Sequence, residues 1–405
     1  MIRLIEALNY RCLRYVRQPL GPFHVLVGPN ASGKSTFLDV PDFIYTMFHS
    51  GLDAAIQYRT DNILDLFWQG PESECFGNPA QNHFELAIEL ALPDVLAVDG
   101  KQAVRYCVAI GLDQAHNARG ILKEEVRILG PNDGPTPCSA DTIPSTIFYD
   151  QGKLIFPDPS LHHRLENGML RDTFFRQIIM GIIFRPNDLP YIKSFMQMLP
   201  SLVVLQSAAL RDPSPPRVGM RTRWSGDGLP NMVEHLQKYG DDKWRYWQDH
   251  LRTVFPELDS VQLHLRQEDK KRYIALRMKN GVEFPSWLLS EGTLHLLALT
   301  ILAFLPQNES SIGGRTWMIE EPESHLHPLN IEAVMQSLSS VYDVQILMTT
   351  HAPIVLTMTD INKLLVFARD NQRGVRIVRG DQHLQLRDWK GDVDLGTLFA
   401  GGVLG

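Results

Sequence analysis

Residues 28 to 35, Gly28-Pro29-Asn30-Ala31-Ser32-Gly33-Lys34-Ser35, fit the pattern GxxxxGK[ST]. They stand between an apolar run, Phe23-His24-Val25-Leu26-Val27, and a stretch with helical character from Lys34 onward. That context admits few folds, because a β-rich run, a flexible turn and a helix in succession describe a buried parallel strand feeding a helix. The chemistry follows from the backbone. The loop's N–H groups and the helix N-terminus present positive partial charge to the α- and β-phosphates of a nucleotide, and Lys34 reaches the β/γ oxygens. Ser35 is placed to ligate Mg2+ through its hydroxyl, Thr36 to add a hydrogen bond to the α-phosphate, and Asn30, Ser32 and Gly33 complete the loop. The rival reading, a Gly-rich turn with an exposed lysine, fits the flanking strand and helix poorly.

Far along the chain a second apolar strand, Trp317-Met318-Ile319, runs into Glu320-Glu321-Pro322-Glu323. A carboxylate pair at a strand end is the arrangement that brings an acid to Mg2+ and a base to an attacking water. Acidic loops are common, so this reading gains its weight from the phosphate loop in the same chain. Leu289-Ser290-Glu291-Gly292-Thr293 opens an apolar helix over 291–304 with Ser290 as N-cap, and Thr349-Thr350-His351-Ala352-Pro353 ends a strand. Taken singly, the first reads equally as a capped helix and the second as a strand-end histidine satisfied by its neighbours. Their order with the other two motifs argues against both.

Between these motifs, residues 83 to 128 alternate apolar and polar in short runs, as half-exposed antiparallel strands do. A helical pattern over about 160–199 and the irregular link Asp212-Pro213-Ser214-Pro215-Pro216 suggest an inserted middle block. A helix at 242–254, strands over 258–279 and the apolar helix 291–304 follow. Strand and helix then alternate at 316–319, 328–339 and 344–348, which points to parallel α/β architecture. Neither an internal repeat nor sustained heptads are visible.

In combination these motifs resemble ABC-type ATPase heads of the SMC, RecF and OLD group, and especially the compact AAA_21-like ATPases of bacterial defence operons. Glu6-Ala7-Leu8-Asn9-Tyr10-Arg11 looks like that group's first strand, and Gly28 to Thr36 resembles Walker A. Leu289 to Thr293 is similar to the ABC signature, Ile319 to Glu323 to Walker B, Ser324 to Pro328 to the D-loop, and Thr350 to Pro353 to the H-loop. The resemblance implies an α/β P-loop NTPase fold: a single ABC-type head with a mixed sheet, an antiparallel β layer and a helical lobe. It divides into an N-lobe over 1–155, an inserted α/β segment over 156–279 and a C-lobe over 280–405. ATP and Mg2+ are the implied cofactors.

Residue by residue, the resemblance makes Glu321 the general base, Glu320 with Ser35 the Mg2+ site, and His351 a γ-phosphate contact. Ser290 and Gly292 would bind the γ-phosphate of a second subunit, which implies an ATP-sandwiched homodimer, and Arg11 would approach the nucleotide. The implied role is the sensor or motor subunit of an antiphage defence or DNA-maintenance system, with a separately encoded effector, nuclease or toxin. The alternative is a nucleotide-gated switch that holds or releases a protein partner without DNA. A membrane transporter's nucleotide-binding subunit fits less well, since the signature lacks Gly-Gly-Gln. Three features depart from the family pattern. Glu320 stands where most ABC ATPases carry Asp, Ala31 takes a position often filled by Gly and is expected at negative φ, and the Q-loop glutamine stays open among Gln57, Gln69, Gln151 and Gln206.

Composition narrows the partners. With 39 Lys+Arg against 46 Asp+Glu, the formal charge of −7 argues against a polybasic binder, and 44% hydrophobic residues supply a large core. DNA contact through phosphates has two local supports, the run Arg217, Arg221, Arg223 with Trp224 and the run Arg266 to Lys279 with Trp244 and Trp247 nearby. A solvated charged face is the more usual reading, because Glu268 and Asp269 interleave the second run. Cys12, Cys75, Cys107 and Cys138 include no CxxC pair and are expected to be reduced thiols. No apolar leader or spanning stretch is evident, so a cytoplasmic protein is expected. Asp392-Val393-Asp394 is read as a polar turn before a final helix rather than a nuclease site, His325 and His327 as D-loop residues rather than metal ligands, and His162-His163 as a solvated helix start.

Overall fold

The computed structural model describes residues 1–69, 83–94, 96–97, 100–113, 118–130, 148–150, 153–155, 195, 198–199, 202–203, 210–211, 228–240, 242–305, 315–341, 344–370, 374–386 and 394–402. The chain opens with β1 (Ile2–Tyr10), β2 (Leu13–Pro19) and β3 (Phe23–Val27), followed by α1 (Lys34–Ser50) and α2 (Leu52–Gln57). Five strands follow: β4 (His83–Ala91), β5 (Ala103–Asp113), β6 (Ala118–Leu129), β7 (Phe148–Asp150) and β8 (Lys153–Ile155). With β1 and β2 they form a seven-stranded antiparallel sheet in the order β2-β1-β4-β5-β6-β7-β8, the layer expected from the alternation over 83–128.

The remaining elements are β9 (Leu202–Val203), α3 (Leu229–Tyr239), α4 (Asp242–Val254), β10 (Leu258–Leu265), β11 (Arg272–Met278), β12 (Glu283–Pro285), α5 (Glu291–Phe304), β13 (Arg315–Glu320), α6 (Pro328–Ser339), β14 (Val344–Thr349), α7 (Pro353–Thr357), β15 (Leu364–Asp370), β16 (Gly374–Arg379) and α8 (Leu395–Ala400). The central sheet has six strands in the order β16-β15-β3-β14-β13-β9. β15, β3, β14, β13 and β9 run parallel, and β16 closes one edge antiparallel. β10, β11 and β12 form a separate three-stranded sheet. The pattern over about 160–199 lies almost wholly outside the described residues, as does the link 212–216.

The two-residue period of a strand sorts the central sheet's side chains into two cores. Leu26, Met318, Leu347, Leu365 and Phe367 point to one face, where they join α1 and the antiparallel sheet. Val25, Val27, Trp317, Ile319, Ile346, Met348, Leu364 and Val366 point to the other, where α3, α4, α5 and α6 cover them. Burial on both faces explains why these strands read as continuous apolar runs. α1 is itself enclosed: Phe43 meets Tyr10 at 5.9 Å and Phe84 edge-on at 5.7 Å. Pro41 lies inside α1, which stays helical although proline removes a backbone donor there. Gln345, 1% exposed, fastens the two layers. Its Nε2 donates to Ile2 O at 2.8 Å and Gly21 O at 2.7 Å, and its Oε1 accepts from Ile2 N–H at 2.8 Å and the Thr316 hydroxyl at 2.9 Å.

α5 is apolar on nearly every side because it is buried on nearly every side. Its one buried hydroxyl, Thr300, bonds Leu296 O at 2.7 Å and accepts the Trp247 indole N–H at 3.0 Å, so no polar group is stranded. One expectation fails here. Cys12 is a free thiol, but Cys107 in β5 is disulfide-bonded, so the four cysteines are not all reduced. The absence of a CxxC pair could not exclude a bridge between cysteines distant in sequence.

Candidate functional site

The parallel order β3-β14-β13 carries three carboxyl ends to one edge of the sheet, where such folds bind ligands. The phosphate loop leaves β3, Glu320 ends β13 with Glu321 directly after it, and His351 follows β14. The loop folds onto its own lysine. Lys34 Nζ donates to Gly28 O at 2.8 Å, Pro29 O at 2.9 Å and Ser32 Oγ at 3.5 Å. Burial lowers the Lys34 ammonium from 10.5 to about 8, against the opposing pull of the Glu321 and then the Glu320 carboxylates. Gly33 takes φ 99°, and a Cβ there would lie 2.7 Å from Val375 and 3.2 Å from Cys12 Sγ, so only glycine fits. Ser35 is exposed, whereas Ser32 is buried. The Thr36 hydroxyl, half-buried, accepts from Cys12 Sγ at 3.3 Å.

Ala31 corrects an expectation: its φ is +60°, not negative. Ser32 N–H closes a four-residue turn onto Pro29 O at 3.2 Å, which puts Ala31 where a type II turn requires positive φ. An alanine pays roughly 1–2 kcal/mol for that conformation. Asn9 (54°), Arg11 (51°), Glu321 (42°) and His325 (66°) share the left-handed region, all within segments the motifs singled out.

Glu320 Oε1 is buried and has no hydrogen-bond donor among the described residues. Glu321 is half-exposed. Its backbone N–H reaches Thr349 O at 3.1 Å and Thr349 Oγ1 at 3.2 Å, its Oε2 accepts from the Ser324 hydroxyl at 3.3 Å, and its Oε1 lies 3.9 Å from His351 Nε2. Residue spacing did not single out Glu323, whose carboxylate binds the H-loop backbone; the third acid of Glu-Glu-Pro-Glu was the available signal.

Ser290 caps α5: its Oγ accepts Thr293 N–H at 3.2 Å and pairs with the Thr293 hydroxyl at 2.8 Å. Gly292 presses on the D-loop, since a Cβ there would come 2.7 Å from His325 O. His325 Nδ1 lies 3.5 Å from Glu291, and its ring packs edge-on against His295. Among the described residues neither Ser290 nor Gly292 hydrogen-bonds to the loop 28–36. Arg11 is held to α1 one turn beyond Ser35, 3.3 Å from Asp39. Asp39 also accepts from the Tyr10 hydroxyl at 2.6 Å and pairs with the buried Arg59 at 2.5 Å.

Other candidates separate cleanly. His327 caps α6 by accepting Leu329 N–H at 3.3 Å, and Asp394 caps α8 by accepting Thr397 N–H at 2.9 Å, as a polar turn before a final helix should. Asp392 and His162-His163 lie outside the described residues. Gln57 ends α2 at the surface and Gln69 donates to Leu64 O at 3.4 Å, while Gln151 and Gln206 are outside the described residues. Half of the second basic run forms internal pairs: Arg266 with Asp269, Lys271 with Asp269 at 3.8 Å, and Arg272 with Glu234 at 2.9 Å. Arg217, Arg221, Arg223 and Trp224 are outside the described residues.

A phosphate loop, a carboxylate pair and a histidine at the carboxyl edge of a mixed sheet define a P-loop ATPase fold of the ABC type. Comparison with solved structures agrees. The crystal structure of an SMC head bound to the C-winged helix domain of ScpA superposes with a TM-score of 0.56 at 15% identity, over 93% of this chain and 97% of that one. Residues 223–357 match AAA_21, an AAA domain family whose description names the AbiEii toxin and type IV toxin–antitoxin systems. An OLD nuclease from Thermus scotoductus is 41% identical over 44 residues, a stretch that spans 11% of this chain and 8% of that relative. The three comparisons agree with the resemblance read from the motifs, to ATPases of the ABC, SMC and OLD type. Among the described residues no helix is long and apolar enough to cross a membrane.

Proposed function

We propose that this chain hydrolyses ATP with Mg2+ and that two copies close on two nucleotides. The observation that carries the reading is the convergence of Lys34, Glu320, Glu321 and His351 at one sheet edge. ATP seats on the loop of Asn30, Ser32, Gly33 and Thr36. Lys34 exchanges the carbonyls of Gly28 and Pro29 for β- and γ-phosphate oxygens. The exposed Ser35 hydroxyl and Glu320 Oε1, which has no donor among the described residues, fit a hard divalent cation, which supplies charge neutralisation at the phosphates when bound. Glu321 takes the proton of the attacking water, and His351, at its side, contacts the γ-phosphate. Ser290 and Gly292 contact the γ-phosphate held by the second copy, and Arg11 approaches the nucleotide from the turn after β1.

In this reading 1–155, 156–279 and 280–405 are the N-lobe, insertion and C-lobe of one head, working in the cytoplasm. The head is the sensor or motor of an antiphage or DNA-maintenance system with a separate effector, nuclease or toxin. The family model and the OLD stretch support that setting. A second reading, a nucleotide-gated switch on a protein partner without DNA, is favoured by the internal pairing of Arg266, Lys271 and Arg272. ATP hydrolysis by the purified chain, with and without duplex and single-stranded DNA and with Lys34→Ala as blank, tests both. Salt-sensitive stimulation by DNA supports the DNA sensor, an unchanged rate supports the switch, and a rate equal to the blank sinks the ATPase reading.

A further inference from the structure

We infer that Glu323 is a positioning residue that sets His351 against Glu321, an inference that rests on the ATPase reading above. Glu323 Oε1 accepts three hydrogen bonds from the turn after β14: the Thr350 hydroxyl at 2.8 Å, His351 N–H at 2.8 Å and Ala352 N–H at 3.1 Å. Thr350 is fully buried, and its own N–H reaches Leu26 O at 3.2 Å in β3. The carboxylate therefore grips a turn already anchored to the strand that carries the phosphate loop. A second tie runs the other way, from Glu321 N–H to Thr349 O and Oγ1. With both ends fastened, His351 Nε2 stands 3.9 Å from Glu321 Oε1.

The β13–β14 ladder ends at Glu320 and Thr349, and the Glu321 N–H bonds hold Glu321 there, so past the ladder the Glu323 carboxylate is the side chain that ties the His351 turn to the Glu321 segment. Glu323 Oε2 is buried and has no donor among the described residues. The side chain thus works through one oxygen, which an amide also possesses. Removing that oxygen would leave His351 N–H without an acceptor among the described residues, while Ala352 N–H keeps only the Thr350 hydroxyl at 3.0 Å, and a donor left so finds a new partner by moving. Glu323 acts on the reaction through His351 and does not itself touch the nucleotide.

The test combines hydrogen exchange at the His351 amide with a double-mutant cycle in kcat. Glu323→Ala should speed exchange at the His351 amide about tenfold or more and lower kcat about tenfold, with ATP affinity within about threefold of wild type. Glu323→Gln should restore both readouts, because its carbonyl still accepts. In a His351→Ala background, Glu323→Ala should cost no more than about twofold further, as expected for residues acting in series. Unchanged amide exchange in Glu323→Ala, or a full multiplicative loss in the double variant, overturns the inference. If Glu323→Ala does not fold, Glu323→Asp, with its shorter arm, is read the same way. A wild-type rate no higher than Lys34→Ala would overturn the ATPase reading alone, and amide exchange would still decide whether Glu323 holds the turn.

Discussion

The two halves of the candidate site are built in opposite ways. The phosphate loop is closed on itself, with Lys34 5% exposed and bonded to the loop's own carbonyls. The signature is open: Ser290 is exposed, Trp287 and Leu288 beside it are 43% and 66% exposed, and among the described residues the Ser290 hydroxyl bonds only within its own helix turn. The difference separates two requirements. Holding a nucleotide needs groups that one strand and one helix can position together, whereas the exposed signature offers its Ser290 hydroxyl to contacts from outside that helix turn.

The strongest way to break this comparison is at the closed half. Lys34→Ala removes the charged donor, and ATP affinity should fall roughly 100-fold or more, since hydrogen bonds to charged groups contribute about 1.5–3 kcal/mol each. Binding of a fluorescent nucleotide measures it, and near-normal affinity would reject the loop assignment. Next, Glu321→Gln should lower kcat by about 10²–10⁴ while leaving ATP binding intact, the signature of a lost general base. On light scattering with ATP this variant should accumulate as a dimer, and a monomer would speak against closure on nucleotide.

Ser290→Arg probes the open half. It should leave ATP binding by the single chain within about threefold and lower kcat about tenfold by blocking the second copy. Equal loss of binding would mean that the signature serves its own nucleotide.

The smallest effect is a pH dependence of the closed half. Burial holds Lys34 at about 8, so above that pH it is neutral in the folded protein, while bound phosphate favours the cation. Binding must then take up a proton, and affinity should fall about tenfold per unit as pH rises above about 8, with no change below it. The unfolded chain keeps that proton up to about 10.5, so this group makes folding more favourable as pH rises through the same window. Calorimetry in buffers of different ionisation enthalpy reads the uptake directly, and its absence above pH 8 would show that the loop opens without charge cost.

Much of the architecture was legible because it is written at short range. The strand at Phe23–Val27, the helices at Asp242–Val254 and Glu291–Phe304, the antiparallel layer and the Ser290 cap all rest on periodicity and on contacts within one turn. Other features lay beyond that reach. Proline at 41 argues locally for a helix end, yet α1 continues because two sheets enclose it. Ala31 argues for negative φ, but the turn closed by Ser32 and Pro29 sets the opposite sign. The grip of Glu323 on His351 spans 28 residues and the bonds of Gln345 to Ile2 span 343, so no window along the chain contains both partners.

What the amino-acid sequence determined alone is therefore the chemistry of each motif: a loop whose glycine permits φ 99°, a strand that ends in carboxylates, a helix that begins on a serine. What the tertiary structure decided is their company. Strand order β3-β14-β13 sets which ends become neighbours, and that order is chosen by burial of both sheet faces over the whole chain. Side-chain spacing carries a period, but not the identity of the strand that will lie alongside.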